Sequence, residues 1–225
     1  MLDPLVERVI LHDMANSLSG ITAGAGLFLD GLLGSLTKDQ TEILENINLS
    51  AILLTSIIAD LRDIVFFEEG RTKIEKTTYT IGQIYHSLSW IEKYAQKVQK
   101  SLKTQFDPTF EIKADPEMLK RILLNLLLNS IKQSRTGNIV LFKVGIEIDN
   151  ILFEIIDQSE PLPGPLHEKA FDKNFRVDYP EMRSRAGIGL GFYFCRLAVE
   201  AHGGKIGIEE RKKGEGMRYF FTLPK

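Results

Sequence analysis

The sequence of 225 residues is long enough for one large domain or two modest domains, each with its own hydrophobic core. Its composition, 44% hydrophobic and 26% charged, is typical of a globular protein and excludes a disordered or fibrous chain. The formal net charge of -2 gives no reason to expect broad electrostatic binding to nucleic acid or to an anionic membrane.

Cysteine content indicates a reducing compartment, and hydropathy indicates a chain without a membrane span. The single cysteine, Cys195, cannot form an internal disulfide, and a buried, inert thiol is its expected state. No apolar run approaches the length needed to span a bilayer, and the first residues carry no basic region followed by an apolar core. We therefore expect a cytoplasmic chain with no membrane segment and no nucleic-acid partner.

The chain begins with a long amphipathic segment. Asp3 followed by Pro4 predicts the start of a helix, which should run to about Leu33 or Gly34. The apolar residues alternate spacings of three and four, as in a helix that buries one narrow stripe against partner helices. They are Leu11, Met14, Leu18, Ile21, Ala25, Phe28 and Leu32.

A second helix follows a short turn. Thr37, with Gln40 three residues later, is a capping box that predicts the helix start. One apolar row contains Ile43, Ile47, Ser50, Leu54, Ile57, Leu61 and Ile64, and a second contains Leu44, Ala51, Ile58 and Val65. This stripe is wider than one partner needs, so we predict an antiparallel hairpin that pairs with a second copy in a homodimeric four-helix bundle. The hairpin is assigned to residues 1–67, a linker to residues 68–73 and a second domain to residues 74–225.

The second domain mixes helix and strand signals and predicts an α+β fold. The predicted strands are residues 73–79, 101–106, 109–112, 139–148 and 151–156, with two more closing the chain. One helix should begin after Thr80, and a strongly apolar helix should run from Asp115 to about Ile131. Residues 158–186 have no clear period and predict a long loop. A last helix ends at His202, where the helix dipole favours an imidazolium.

Three polar residues of the first helix form a candidate reactive patch. His12 and Asn16 are four residues apart and therefore neighbours on a face outside the apolar stripe, with Asp13 beside them. A carboxylate can hold or take a ring proton, and a carboxamide can position a water molecule. A solvated polar face is the alternative interpretation of such a His-Asp pair.

Candidate phosphate and metal ligands lie in the second domain. One face of the apolar helix carries the polar residues Asn125, Asn129 and Lys132. A carboxamide oxygen is a suitable ligand for Mg²⁺, and a lysine ammonium is suited to bind a phosphate. Simple solvent exposure of this face is the alternative explanation. Glycines at alternate positions before a helix expose backbone N–H groups to an anion, with a flexible hinge as the alternative. These glycines are Gly187, Gly189 and Gly191.

Taken in order, these motifs resemble the catalytic core of a two-component sensor histidine kinase. The matching residues are His12-Asp13-x-x-Asn16, Asn125-x-x-x-Asn129-x-x-Lys132, Asp157, residues 171–176, Gly187-x-Gly189-x-Gly191 and His202-Gly203-Gly204. The resemblance covers essentially the whole chain and implies a histidine-phosphotransfer hairpin followed by an α/β-sandwich ATP-binding domain of the GHKL (Bergerat) type. It also implies ATP and Mg²⁺ as cofactors, a homodimer, and the receiver domain of a response regulator as partner.

The resemblance implies a role for each motif by position. His12 would be the phospho-acceptor, Asp13 the base that takes its proton, and Asn16 the residue that orients water during dephosphorylation of the response regulator. Asn129 would hold Mg²⁺, and Asp157 would accept a hydrogen bond from the adenine amino group. The other implied ATP-binding residues are the phosphate contacts Asn125 and Lys132, the phenylalanine-box residues Phe171 and Phe175, and the glycine-box residues Gly187, Gly189 and Gly191.

Two features depart from the family pattern. The family has Asp-x-Gly-x-Gly, whereas residues 157–161 contain Ser159 and Pro161 in place of the glycines, and proline both stiffens the backbone and lacks an N–H donor. Only residues 1–11 precede His12, so signal input is expected from a separate sensor partner or from a region outside this sequence. The leading hypothesis is an ATP-dependent histidine kinase with phosphatase activity through Asn16. The alternative is a phosphorelay histidine phosphotransferase whose kinase-like domain no longer binds ATP.

Overall fold

The computed structural model of the chain describes residues 4–173, 175, 189–212 and 215–225, with side chains from Val9 onward. The chain divides into two compact units, Met1–Thr72 and Lys73–Lys225, here called unit 1 and unit 2. Across the described residues, no helix combines the length and the apolar character needed to cross a membrane.

Unit 1 is a pair of long helices, α1 (Pro4–Leu29) and α2 (Lys38–Glu68), that pack against each other. The predicted capping box is present at the start of α2: the Thr37 hydroxyl accepts the Gln40 N–H, and the Gln40 side chain accepts the Thr37 N–H. Helix α1 ends earlier than predicted because Gly31 has a φ of 74° and the following N–H bonds back to the Leu27 carbonyl. This left-handed glycine closes the helix before the apolar pattern ends.

A single hairpin leaves much of its apolar surface exposed. Leu11, Ala25, Ala51 and Ile58 are buried. The large apolar side chains of unit 1 that stay exposed are Val9, Ile10, Met14, Ile21, Leu27, Phe28, Leu32, Leu33, Ile43, Ile47 and Leu54. Since burying apolar surface is favourable by about 25 cal/mol per Å², this face of the hairpin is suited to contact with another apolar surface.

Unit 2 is an α/β sandwich built on a five-stranded mixed sheet of order β2-β4-β5-β7-β6. Its strands are β1 (Thr77–Thr80), β2 (Ser101–Gln105), β3 (Glu111–Ala114), β4 (Ile139–Ile146), β5 (Asn150–Ile156), β6 (Ile206–Glu210) and β7 (Met217–Pro224). Its helices are α3 (Ile81–Ser87), α4 (Trp90–Lys97), α5 (Pro116–Gln133) and α6 (Gly191–Ala201), with 3-10 turns at Gly164–Leu166 and Lys169–Phe171. The β2–β4 pairing is parallel, the other pairings are antiparallel, and β1 pairs only with β3 among the described strands.

Helices α5 and α6 contact each other and the sheet, and the core of unit 2 lies between them. Phe142, Phe153 and Phe221, on three different strands, and Phe194 of α6 are fully buried there. Alternate residues of β7 are buried, which is the period expected for a strand with one covered face. This packing holds the polar face of α5 near the start of α6 and the end of β5.

Several predicted elements of unit 2 differ from the structure: β1 begins at Thr77 and not at residue 73, β4 ends at Ile146 and not at residue 148, and two further differences have a local reason. The helix predicted after Thr80 is divided into α3 and α4, and at the break the Ser87 hydroxyl bonds to the Ile84 carbonyl, a local bond that competes with continued helix. Strand β3 begins later than predicted because the Asp107 side chain accepts both the N–H and the hydroxyl of Thr109, which forms a turn there.

His202 connects the end of α6 to the start of α5. Its ring is 3% exposed; Nδ1 donates to the Ala198 carbonyl at 2.7 Å, and Nε2 accepts the Asp115 N–H at 3.0 Å. One ring nitrogen must carry a proton and the other must not, so the ring is neutral. Burial lowers the pKa of His202 below its ordinary value. The expectation of an imidazolium at this helix end is therefore wrong, because burial outweighs the helix dipole.

We expect unit 2 to lose stability as the pH falls below about 6.5, the ordinary value for histidine. Because the folded pKa of His202 is lowered, the unfolded chain binds the proton first, and unfolding becomes easier with decreasing pH. Urea unfolding followed by fluorescence of Trp90, the only tryptophan, at about pH 7.5 and about pH 5.5 measures the effect. His202→Gln should reduce this pH dependence, and His86→Gln, at an exposed position, should not. Equal dependence in wild type and His202→Gln would contradict the assignment.

Candidate phosphoacceptor and nucleotide sites

The structure brings together the three polar residues predicted on the first helix. The side chain of His12 is 72% exposed, and its Nδ1 lies 3.2 Å from Asp13 Oδ1. Asn16 Nδ2 lies 3.2 Å from Nδ1 and 3.4 Å from Nε2 of the same ring. A carboxylate only accepts hydrogen bonds, so Asp13 favours the tautomer with the proton on Nδ1. Nε2 is then the unprotonated ring nitrogen, which carries the lone pair available for nucleophilic attack.

Asp157 follows β5 and is fully buried. Its Oδ1 accepts three hydrogen bonds: from the N–H of Ser159 at 2.9 Å, from the hydroxyl of Ser159 at 2.6 Å, and from the N–H of Met217 at 3.2 Å. Its Oδ2 is buried and has no hydrogen-bond partner among the described residues. A buried acceptor without a partner is rare and unfavourable, so Oδ2 is suited to a ligand that donates an N–H.

The pKa of the Asp157 carboxyl is consistent with a site that binds a hydrogen-bond donor of a ligand. Burial raises the pKa of the Asp157 carboxyl, and the hydrogen bonds from Ser159 and Met217 oppose that shift without cancelling it. The Ser130 hydroxyl also favours the ionised form, more weakly, although it makes no hydrogen bond of acceptable geometry to Oδ2. A ligand N–H directed at Oδ2 would stabilise the carboxylate.

The polar face of α5 lies beside the start of α6. Asn125 and Asn129 are half-buried and Lys132 is exposed, and Asn129 Nδ2 donates to the Tyr219 hydroxyl at 3.2 Å. A Cβ atom added at Gly191 would lie 2.6 Å from Asn125 Oδ1. The glycine at this position therefore lets α6 begin directly against the Asn125 side chain, a packing reason that the sequence pattern alone does not reveal.

The remaining predicted residues are distributed around the same region. Gly189 has a φ of 77°, in the left-handed region that favours glycine, and Gly187 lies outside the described residues. Phe171 is buried, and its ring lies 5.5 Å from that of Phe192, which in turn lies 5.7 Å from the ring of Tyr219. Phe175 is half-buried.

Sequence reasoning missed Ser159 and Tyr219. Ser159 was noticed only as a lost glycine, yet its N–H and hydroxyl both bond to Asp157. Tyr219 contacts Asn129 and is an inward-facing residue of β7. The available signal was the alternation of β7, which places every second side chain of the strand toward the helices.

The donor set fits a magnesium ion that is held mainly by a nucleotide. Among the described residues there is no group of three or more His, Cys, Asp or Glu side chains able to hold a metal. Mg²⁺ commonly takes only one or two protein ligands together with substrate phosphates and water. The carboxamide oxygen of Asn129 is a hard donor of the required kind.

Comparisons with known proteins agree with this arrangement. The family described as histidine kinase-, DNA gyrase B-, and HSP90-like ATPase matches residues 114–225. The chain is 31% identical over 222 residues to sensor protein KdpD of Clostridium acetobutylicum, covering 97% of the chain and 24% of KdpD. It is 27% identical over 217 residues to the circadian input-output histidine kinase CikA of Synechococcus elongatus, covering 95% of the chain and 29% of CikA. The chain thus spans less than a third of the length of these relatives.

Solved structures have the same fold. Full-length ShkA in complex with AMPPNP aligns with a TM-score of 0.66 at 20% identity, covering 99% of this chain and 46% of ShkA. The catalytic domain of histidine kinase ThkA aligns with a TM-score of 0.58 at 23% identity, covering 67% of this chain and 97% of that domain.

Unit 2 is therefore an ATPase domain of the type shared by histidine kinases, gyrase B and HSP90. Unit 2 belongs to the family of histidine kinase-, DNA gyrase B-, and HSP90-like ATPases, and with the helical hairpin that precedes it in the sequence the chain matches the catalytic core of two-component sensor histidine kinases. The predicted fold class and the family resemblance are confirmed.

Proposed function

We propose that this chain phosphorylates itself on His12 with Mg-ATP and passes the phosphoryl group to an aspartate of a response-regulator receiver domain. One observation carries the proposal: the exposed His12 ring is hydrogen-bonded to Asp13 in a chain whose second unit is a kinase-type ATPase domain. The solved complex of histidine kinase ThkA with response regulator protein TrrA, which aligns at 20% identity with a TM-score of 0.60, supports a receiver domain as partner.

In the proposed transfer, Nε2 of His12 attacks the γ-phosphorus of ATP. The N–P bond forms as the bond from the γ-phosphorus to its bridging oxygen breaks, and ADP leaves. Asp13 stabilises the positive charge that develops on the ring and takes up the Nδ1 proton. Attack by a receiver aspartate on the phosphohistidine then restores His12. Asn16, beside both ring nitrogens, is suited to orient water when the receiver is dephosphorylated.

In the proposed nucleotide site, each polar group of unit 2 has one task. Asp157 Oδ2 accepts the adenine amino group, Asn125 and Lys132 contact the phosphates, and Asn129 supplies its carboxamide oxygen to Mg²⁺. A Mg²⁺ ion bound there would neutralise negative charge on the phosphates. The backbone of Gly189 and Gly191 at the start of α6 donates to phosphate oxygens, and Gly187 is proposed as a further phosphate-binding residue. Phe171 and Phe175 flank the site.

The proposed assembly is a homodimer through unit 1. The apolar side chains that a single hairpin leaves exposed, Met14 and Ile21 at 48% each among them, support a four-helix bundle of two chains.

The test is incubation with Mg²⁺ and ATP labelled on the γ-phosphate, with His12→Gln as the matched variant. Wild type should acquire acid-labile label, and the variant should acquire none, because glutamine cannot form the phosphoramidate. Label that persists in His12→Gln would overturn the acceptor assignment.

The replacement of two glycines by Ser159 and Pro161 favours a second candidate, a phosphorelay histidine phosphotransferase. That candidate predicts no label from ATP but His12-dependent uptake from a phosphorylated receiver domain.

A further inference from the structure

The backbone of the turn after β5 is held from two sides. Asp157 donates its N–H to the Met217 carbonyl at 3.0 Å, and the Asn138 side chain donates to the Gln158 carbonyl at 3.2 Å. A Cβ atom added at Gly216 would lie 2.1 Å from the backbone oxygen of Asp157, so the chain entering β7 packs directly against the turn. The segments that lead into β4 and β7 therefore fix the backbone at Asp157.

Ser159 fixes the side chain of Asp157 in the same turn. The N–H and the hydroxyl of Ser159 both donate to Asp157 Oδ1, at 2.9 Å and 2.6 Å, and the Met217 N–H donates to the same oxygen at 3.2 Å. A glycine in place of Ser159 could supply only the N–H bond. Hydrogen bonds to a carboxylate are roughly twice as strong as those between neutral groups. The serine therefore adds the shortest of the three bonds that hold this oxygen.

The bonds at Oδ1 determine what Asp157 can offer to a ligand. Three donors on one oxygen oppose rotation of the carboxylate, and they leave Oδ2, which is buried and has no partner among the described residues, as the acceptor. Burial raises the pKa of the Asp157 carboxyl, and the bonds from Ser159 oppose that shift. An ionised carboxylate is the stronger acceptor, so the Ser159 hydroxyl favours acceptance at Oδ2 through both orientation and charge.

We propose that Ser159 is a positioning residue whose hydroxyl prepares Asp157 to accept the amino group of adenine. The inference rests on the proposed ATP binding and deepens it. The family pattern has glycine at this position, and glycine leaves the backbone free to move. Here a serine and its hydrogen bonds hold the acceptor in place before the base arrives, and a preformed site lowers the cost of ordering on binding. The replacement of this glycine therefore supports ATP binding instead of opposing it.

The test compares two nucleotides that differ only in the group that Asp157 would bind. Calorimetry on the full chain with Mg²⁺ measures the affinity for ADP and for purine riboside diphosphate, which lacks the amino group of the base. Ser159→Ala removes the hydroxyl and keeps the N–H, and we expect its affinity for ADP to fall about fivefold, the equivalent of one hydrogen bond. Its affinity for purine riboside diphosphate should remain that of wild type, because this nucleotide has no amino donor for Oδ2. A residue with only a structural role would weaken both nucleotides alike.

Ser159→Gly is the decisive variant because it restores the residue of the family pattern. We expect it to lose at least as much affinity for ADP as Ser159→Ala. Thr109→Ala is the matched control, because Thr109 makes the same pair of bonds to Asp107 on the surface, and it should bind both nucleotides as wild type does. An ADP affinity in either Ser159 variant that equals or exceeds that of wild type, or an equal loss for both nucleotides, overturns the positioning role and leaves ATP binding intact. Absence of ADP binding to wild type overturns both proposals.

Discussion

Asp157→Asn should abolish nucleotide binding and at the same time make unit 2 more stable. The asparagine oxygen can replace Oδ1 and keep its three donors, while Nδ2 replaces the buried oxygen that has no partner among the described residues. The adenine amino group would then face the amide N–H of the asparagine, so two donors would face each other with no acceptor between them. We expect the affinity for AMPPNP to fall at least about 100-fold. Stability rises because burial raises the pKa of the Asp157 carboxyl, so the ionised side chain opposes folding near neutral pH and a neutral one does not.

The chain contains a matched control for this substitution. Asp107 makes the same pair of bonds to Thr109, at 2.9 Å to the N–H and 2.7 Å to the hydroxyl, that Asp157 makes to Ser159, but on the surface. The hydrogen bonds of Thr109 lower the pKa of Asp107, so Asp107→Asn should not raise stability, and it should leave AMPPNP binding unchanged. Calorimetric titration and urea unfolding followed by Trp90 fluorescence measure both properties. An Asp157→Asn chain that binds as wild type does, or that unfolds more easily, contradicts the role of Oδ2.

Local sequence signals predicted most elements of this fold. The capping box at Thr37 and the Asp115-Pro116 start of α5 each involve residues within four positions of one another, so the local sequence alone defines them. The order of strands does not follow from such signals. The parallel pairing of β2 with β4 joins segments separated by β3 and α5, and its register depends on packing.

The candidate site could be predicted only where its geometry is local. The spacing of His12 and Asn16 along one helix was enough to predict their contact. The properties of Asp157 depend on Met217, which is brought by a strand 60 positions later in the chain. His202 was misjudged for the same reason: its ring bonds to Asp115, 87 positions away, and the resulting burial decides its charge. Long-range burial, which no local pattern encodes, accounts for what the sequence did not predict.

Gly204→Ala should strongly destabilise unit 2. A Cβ atom at this position would lie 1.8 Å from the backbone oxygen of Thr222, so either β7 or the segment after α6 must move. Backbone cannot rotate aside as a side chain can, and we expect a loss of about 3 kcal/mol or more in the free energy of unfolding. In urea, this corresponds to a fall of about 1 M or more in the midpoint reported by Trp90.

A substitution at the neighbouring Gly203 is the control that distinguishes the effect of steric crowding from the effect of backbone conformation. Gly203 has a φ of 86°, yet its added Cβ would meet only Pro224 Cγ, at 3.5 Å, which is ordinary contact. Gly203→Ala should therefore lose only the roughly 1–2 kcal/mol of a left-handed non-glycine residue. If crowding against Thr222 is the cause, Gly204→Ala must be clearly the less stable of the two. Equal midpoints would mean that the chain after α6 shifts without resistance, and that the close approach of this segment to β7 does not hold the sheet edge in place.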